Sequence, residues 1–215
     1  VSRIVESMPY LNLGSGKAWS DPLTVGLDIN GDFEDIGYNT TTLCDVEFDL
    51  GSFEPLPFKD NRFDGIYTSH CLEHLRQPSV IHILEQCQRV LRAGGVLRIV
   101  LPDLSKYFDK YVERDLSFFN WIRQKGVYRH DSWLRFICRE FCGNIIDQYN
   151  NEELYALYNT LGQEEFIKAL SLEASECNDV NRNIPGVHKS YWDSRKLKSI
   201  LQEVGFKHVN VCSRF

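Results

Sequence analysis

The chain has no apolar run near the roughly 20 residues that a membrane-crossing helix needs. It has no C-x-x-C pair, and its seven cysteines, an odd number, are scattered from Cys44 to Cys212. That is not a disulfide framework, so a reducing compartment, the cytoplasm, is the expected location. Cys138 and Cys142 lie four apart on one helix face, where packing is the expected role. A metal would need two more ligands at suitable spacing, and none presents itself, so no metal site is expected. Excess positive charge is also missing: 24 Lys and Arg face 30 Asp and Glu, a formal net charge of -6. This argues against a general nucleic-acid sheath. There is no internal repeat and no low-complexity tract. The opening "VSRIVESMPY" does not read as a signal peptide, because Glu6 and Pro9 interrupt any apolar segment. Val1 in place of Met is expected of a trimmed or partial chain.

What is present is enough hydrophobic (43%) and aromatic (13%) content for a real core in 215 residues, one domain or one domain with an insertion. Short apolar segments bounded by Gly, Asp or Pro read as strands: "YLNL" before Gly14, "LTVGLDI" over Leu23–Ile29, "TLCDVEFDL" ending at Leu50, "FDGIYTS" over Phe63–Ser69, and "VLRIVLPDL" ended by Pro102. Between the last two, Ile81, Leu84, Cys87, Gln88 and Leu91 follow a 3.6-residue period, and Gly94-Gly95 is the expected stop. Strands alternating with crossovers predict a parallel sheet covered on both faces. Lys17 to Pro22 leaves little room for a first helix, since a crossover normally takes about a dozen residues. Either that helix is truncated or the second strand lies a few residues away.

Leu104 to Leu172 reads differently. It is helical, charged and crowded with aromatics, among them Tyr107, Tyr111, Phe118, Phe119, Trp121, Trp133 and Phe136. The expectation is one domain over 1–215 with 104–172 as a helical insert or lid. Core packing and a homodimer face remain open for the same aromatics. At the end, "SYWDSRKLKSILQEVGF" reads as a helix capped by Asp193 or Ser194 and stopped by Gly205, and "KHVNVCSRF" alternates as a last strand.

Gly14-Ser15-Gly16 follows the first strand, and Asp28 follows the core of the second. A glycine turn admits close backbone approach to a ligand, and a carboxylate at the next strand end can take both hydroxyls of a ribose. The fuller G-x-G-x-x-G of dinucleotide folds, with its acid about 20 residues on, is absent. Trp19 stands at the sixth position and the acid comes early. A ligand loop and an ordinary turn both fit the turn alone.

"YLNLGSG", "VGLDIN", "FDLGSFEPLPFKDNRFDGIYTSHCLEHL" and "RVLRAGGVLRIVLPDL" occur in order. Together they resemble the class I S-adenosylmethionine-dependent methyltransferases, in the branch with the LPF-x-D-x-x-FD signature. "HKSYWDSRKLKSILQEVGF" is similar to that family's penultimate helix and last hairpin. The resemblance implies an α/β, Rossmann-like sheet of seven mostly parallel strands, with a helical insertion after the fifth. It also implies S-adenosyl-L-methionine as cofactor. Asn12, Gly14, Ser15 and Gly16 would form the cofactor turn, Asp28 would bind the ribose, and Asp49 and Leu50 would flank the adenine. His70 would line the methionine end. Asn12 stands where many members carry an acid.

Methyl transfer to an alcohol or phenol needs a proton removed. His70 and His188 are the candidate bases, with His130 a weaker one. Asp64 reads as structural at a strand start, and His74 as a packing or capping residue. The expected acceptor is a small molecule or a glycan- or lipid-linked intermediate, methylated on oxygen or nitrogen by in-line substitution. No Asn/Asp-Pro-Pro-Tyr/Phe pattern follows the fourth strand, which lowers DNA adenine as a target. Arg123, Lys125, Arg129 and Arg135 make the densest positive region, read as a solvated face or a holder of an acceptor phosphate or carboxylate. The alternatives are an NAD-type oxidoreductase and a non-catalytic methyltransferase-like partner subunit.

Overall fold

The computed structural model describes residues 5–16, 21–29, 44–115, 117–120, 133–176 and 188–212. The chain divides into two compact units, Val1–Leu101 with Arg195–Phe215, and Pro102–Ser194.

The first unit is built on five strands: β1 (Tyr10–Leu13), β2 (Thr24–Asp28), β3 (Val46–Glu47), β4 (Phe63–Ser69) and β5 (Leu91–Val100). Their order is β3-β2-β1-β4-β5, and every pairing is parallel. β1 is central, with Leu13 in register with Leu27 on one side and Thr68 on the other. Its Leu11, Asn12 and Leu13 are all buried, as is the Val25–Leu27 run of β2. This is the near-continuous apolar pattern of a strand covered on both faces. Helix α1 (Gln77–Val90) carries Pro78 in its first turn and buries Val80, Ile83, Leu84, Cys87 and Val90. Ile83, Cys87 and Val90 join Leu11, Leu13, Val25, Leu27, Phe63 and Ile66 in one core.

Two sequence expectations are corrected here. The sheet has five strands among the described residues, not seven, and none is antiparallel. The alternating segment 207–212 carries no strand pairing, and Val211 is 63% exposed. A period-two pattern becomes a strand only where it finds an edge to pair with and a core to face. Gly94-Gly95 is also not the stop of α1. The helix ends at Val90 and passes straight into β5, which keeps Leu91 buried. Gly94, at φ 78°, lies within the irregularity that shifts the register between Phe63–Leu91 and Gly65–Val96.

The LPF-x-D segment is a loop held by α1. Arg89 donates to the carbonyls of Leu56 and Phe58, to Asp60 Oδ1 and to Gln86 Oε1, each at 2.8–2.9 Å. Gln86 Oε1 also accepts from the Leu56 amide at 3.2 Å. Leu56 is buried, and Phe58 packs edge-on against Phe63.

The second unit follows β5 directly and is helical in its described parts. It contains α2 (Leu104–Val112), a helical stretch at 117–120, α3 (Trp133–Cys142), a 3-10 segment (Gly143–Gln148) and α4 (Asn151–Glu176). Asp103 caps α2 through Ser105. Asn150 and Glu153 bond each other's amides at 2.9 and 2.7 Å, a capping box at the start of α4. Gly162, at φ 72° and ψ 169°, breaks α4 in two. The core is aromatic: Phe108, Phe119, Phe136, Phe141 and Phe166 are buried, with Tyr107, Tyr111, Phe118 and Trp133 packed against them. Trp121 lies outside the described residues.

Arg135 is neither a solvated surface charge nor a phosphate holder. It is 11% exposed, and its guanidinium bonds the Ile146 and Tyr149 carbonyls and Asn151 Oδ1, tying α3 to the 3-10 segment. Backbone carbonyls at the end of the 3-10 segment take its donors. Arg123, Lys125, Arg129 and His130 lie outside the described residues. In the last helix, α5 (Ser194–Val204), Ile200 and Leu201 are buried and Gly205 closes the end at φ 113°.

Candidate cofactor site

The sheet order reverses direction of growth at β1, which has β2 on one side and β4 on the other. In open parallel sheets, ligands bind beyond the carboxyl ends of the strands at such a point. Gly14, Ser15, Gly16, Asp28 and His70 lie at or just past the carboxyl ends of β1, β2 and β4.

The chain leaves β1 through Gly14 (φ 66°) and Gly16 (φ 70°). The Gly14 and Ser15 amides both donate to the Leu27 carbonyl, at 2.9 and 3.2 Å, so the turn folds back on β2. The Gly16 amide donates to Asp28 Oδ2 at 2.7 Å, and Asp28 Oδ1 accepts from the Ile29 amide at 2.7 Å. Asp28 is therefore joined to the glycine turn, twelve residues before it, by a charge-assisted bond. A carboxylate has about four acceptor sites, and these two bonds leave capacity for the hydroxyls of a ribose. A Cβ built on Gly16 meets nothing within 4 Å. An open backbone flank beside a carboxylate fits an adenosyl group.

The other marked residues divide. Asn12 is buried on β1, in register with Gly26 and Tyr67. Ser15 packs over Gly26, whose added Cβ would lie 3.1 Å from Ser15 Oγ. Asp49 is exposed, and its Oδ1 accepts from the Gly51 amide at 2.7 Å, so it shapes its own loop after β3. Leu50 beside it is buried. Asp64 pairs with Arg92 at 3.0 Å at the opposite end of β4, a structural position.

His70 follows β4 and adopts the left-handed region at φ 50°. Its Nδ1 lies 3.2 Å from Oε1 of Glu73, whose side chain is 2% exposed. Cys71, between them, packs against the glycine turn: a Cβ on Gly14 would stand 2.5 Å from its Sγ. Burial, then the charges of Asp28 and Glu73, push the Cys71 thiol up to about 12, so it is no thiolate nucleophile at neutral pH. His74 sits in the 3-10 turn Leu72–His74, its amide bonded to the Cys71 carbonyl. His188 belongs to the second unit, where its Nδ1 is 2.6 Å from the Glu140 carbonyl and must carry the proton. Glu73 was not singled out in the sequence. The signal for it was the spacing in "HCLEH", which puts an acid three residues after His70.

Comparison with known proteins gives one family match: residues 13–99 fit a family described as a methyltransferase domain. The match runs from the end of β1 to the end of β5 and covers less than half of the chain. No curated protein matches. Among solved structures, one similar chain belongs to a complex of the Haloferax volcanii Trm112 methyltransferase activator with a protein assigned as a methyltransferase. It is 22% identical over 44% of this chain, at a TM-score of 0.27. This chain spans 45% of that one's length. A protein from Bacillus halodurans, assigned as a methyltransferase, is 17% identical over 74% of this chain and 81% of its own, at 0.31. The YcgJ protein of Bacillus subtilis is 17% identical over 83% of each chain, also at 0.31.

Proposed function

We propose that this chain, a member of the class I S-adenosylmethionine-dependent methyltransferase superfamily by its Rossmann-like sheet and its match over residues 13–99, transfers a methyl group to a small-molecule or glycan- or lipid-linked acceptor. The observation that carries the reading is the bond between Asp28 and the Gly16 amide at the carboxyl end of the central strands. S-adenosylmethionine, when bound, supplies a methyl group already activated on a sulfonium. The residues here have simpler tasks. Asp28 accepts the ribose hydroxyls with the lone pairs that Gly16 and Ile29 leave over. Gly16 keeps that flank free of a side chain. Asn12, Ser15, Asp49 and Leu50 complete the cofactor side. His70 or His188 takes the proton of an alcohol or ammonium acceptor. The second unit, which the chain enters from the carboxyl end of β5, carries acceptor specificity, and the cytoplasm is the proposed location.

Calorimetry tests this. The chain is expected to bind S-adenosylmethionine and S-adenosylhomocysteine and not NAD(H). Asp28→Ala should weaken S-adenosylhomocysteine by about 2–3 kcal/mol, roughly 30- to 150-fold, by removing a charged acceptor and releasing the turn. Heat from NAD(H) alone would end the reading, and an unchanged affinity in folded Asp28→Ala would remove the ribose from this residue.

A further inference from the structure

We propose that Glu73 is a positioning residue for His70, holding its ring in the tautomer whose lone pair sits on Nε2; the role rests on the methyltransferase reading above.

The backbone builds the arrangement. His70 is the first residue past β4, and its amide donates to the Val100 carbonyl of β5 at 3.0 Å. Its φ of 50° lies in the left-handed region that non-glycine residues rarely adopt, and such residues cluster at functional sites. That conformation turns the chain sharply into the short 3-10 turn, and Glu73 comes back to the His70 ring at 3.2 Å.

The contrast in burial gives direction to the pair. The His70 side chain is 56% exposed and that of Glu73 is 2% exposed. A carboxylate at that depth is costly unless donors face it, and an Nδ1–H is such a donor. Cys71 ties the pair to the cofactor turn, since its Sγ and Cβ fill the space at 2.5 and 2.7 Å from a Cβ on Gly14. A neutral imidazole that donates from Nδ1 carries its lone pair on Nε2. A proton taken from an acceptor would rest on Nε2. The imidazolium then faces the Glu73 carboxylate through Nδ1–H, which stabilises it where it forms.

The test is nitrogen NMR of the full chain labelled with 15N-histidine, with the His70 ring signals identified by their loss in His70→Gln. Neutral His70 is expected as the Nδ1–H tautomer in the wild type. Glu73→Leu should move it toward the Nε2–H form that unrestrained histidine prefers, whereas Glu73→Gln, which keeps an acceptor oxygen, should retain Nδ1–H. A purely packing role for Glu73 would leave the tautomer unmoved in both. Saturating S-adenosylhomocysteine should shift the His70 ring signals. An Nε2–H wild type, an unmoved Glu73→Leu, or His70 signals indifferent to bound S-adenosylhomocysteine would each overturn the role. Should Glu73→Leu fail to fold, Glu73→Met, which also lacks an acceptor oxygen, takes its place, and an Nε2–H wild type overturns the role without any variant. Absence of any calorimetric binding overturns the methyltransferase reading and the role with it, while an Nε2–H tautomer with intact binding overturns the role alone.

Discussion

A Cβ on Gly14 would stand 2.5 Å from Cys71 Sγ, while one on Gly16 meets nothing within 4 Å. The two glycines share a left-handed backbone and differ in what surrounds them. Gly14 is a packing position and Gly16 an open one. Gly14→Val is therefore expected to cost stability as well as cofactor affinity: about 3 kcal/mol or more, from a branched Cβ at positive φ driven into a neighbouring backbone-anchored thiol. Urea denaturation reads the loss, and a wild-type midpoint would show that the turn yields. The sequence pattern supports only the second half of this, a ligand-side turn intolerant of a side chain. The Cys71 contact joins residues far apart in the chain, and no local spacing announces it. The nearness of Asp28 to the glycine turn was legible because the turn and the acid end adjacent strands of a parallel sheet. Glu73 was not, because "LEHL" reads equally well as a helix start.

Arg89 belongs to the scale of elements. Three of its four bonds hold the loop before β4 onto α1, two of them on the Leu56 and Phe58 carbonyls and one on Asp60, while the fourth stays within the helix at Gln86. Arg89→Met keeps the apolar stem and removes the donors. It is expected to destabilise by about 2–3 kcal/mol, seen as a lower urea midpoint, because two half-buried carbonyls lose charged partners. Affinity for S-adenosylhomocysteine in the folded variant should change less than tenfold, since Arg89 touches no marked cofactor residue. An unchanged midpoint would mean that water replaces the guanidinium without loss. Arg135 plays a similar part between α3 and the 3-10 segment. Arg135 read as surface charge in a linear pattern and Arg89 drew no reading at all, because most of their partners are backbone carbonyls that any sequence possesses.

At the scale of the molecule, each unit closes its own core. Among the described residues, the core of the second unit draws on residues between Leu104 and Tyr191, and that of the first on residues from Val5 to Leu97 with Phe206. Residues 102–194 expressed alone are therefore expected to give a helical circular-dichroism spectrum and a cooperative thermal transition. A spectrum without helix would show that this core does not suffice. Hydrophobic period and turn residues were enough to locate the five strands, the existence of α1 and the helical character after β5, because these depend on neighbours a few residues away. The face that α1 buries, however, runs through Val80, Ile83, Leu84, Cys87 and Val90 and not through Ile81 and Gln88, and Leu91 belongs to β5. The number of strands, the end of α1 and the duties of Gly14, Arg89, Arg135 and Glu73 came from the fold. Each depends on a partner distant in the chain: an edge to pair with, a thiol, a carbonyl or a ring nitrogen. Local pattern marks which residues can make such contacts, and packing selects the ones they make.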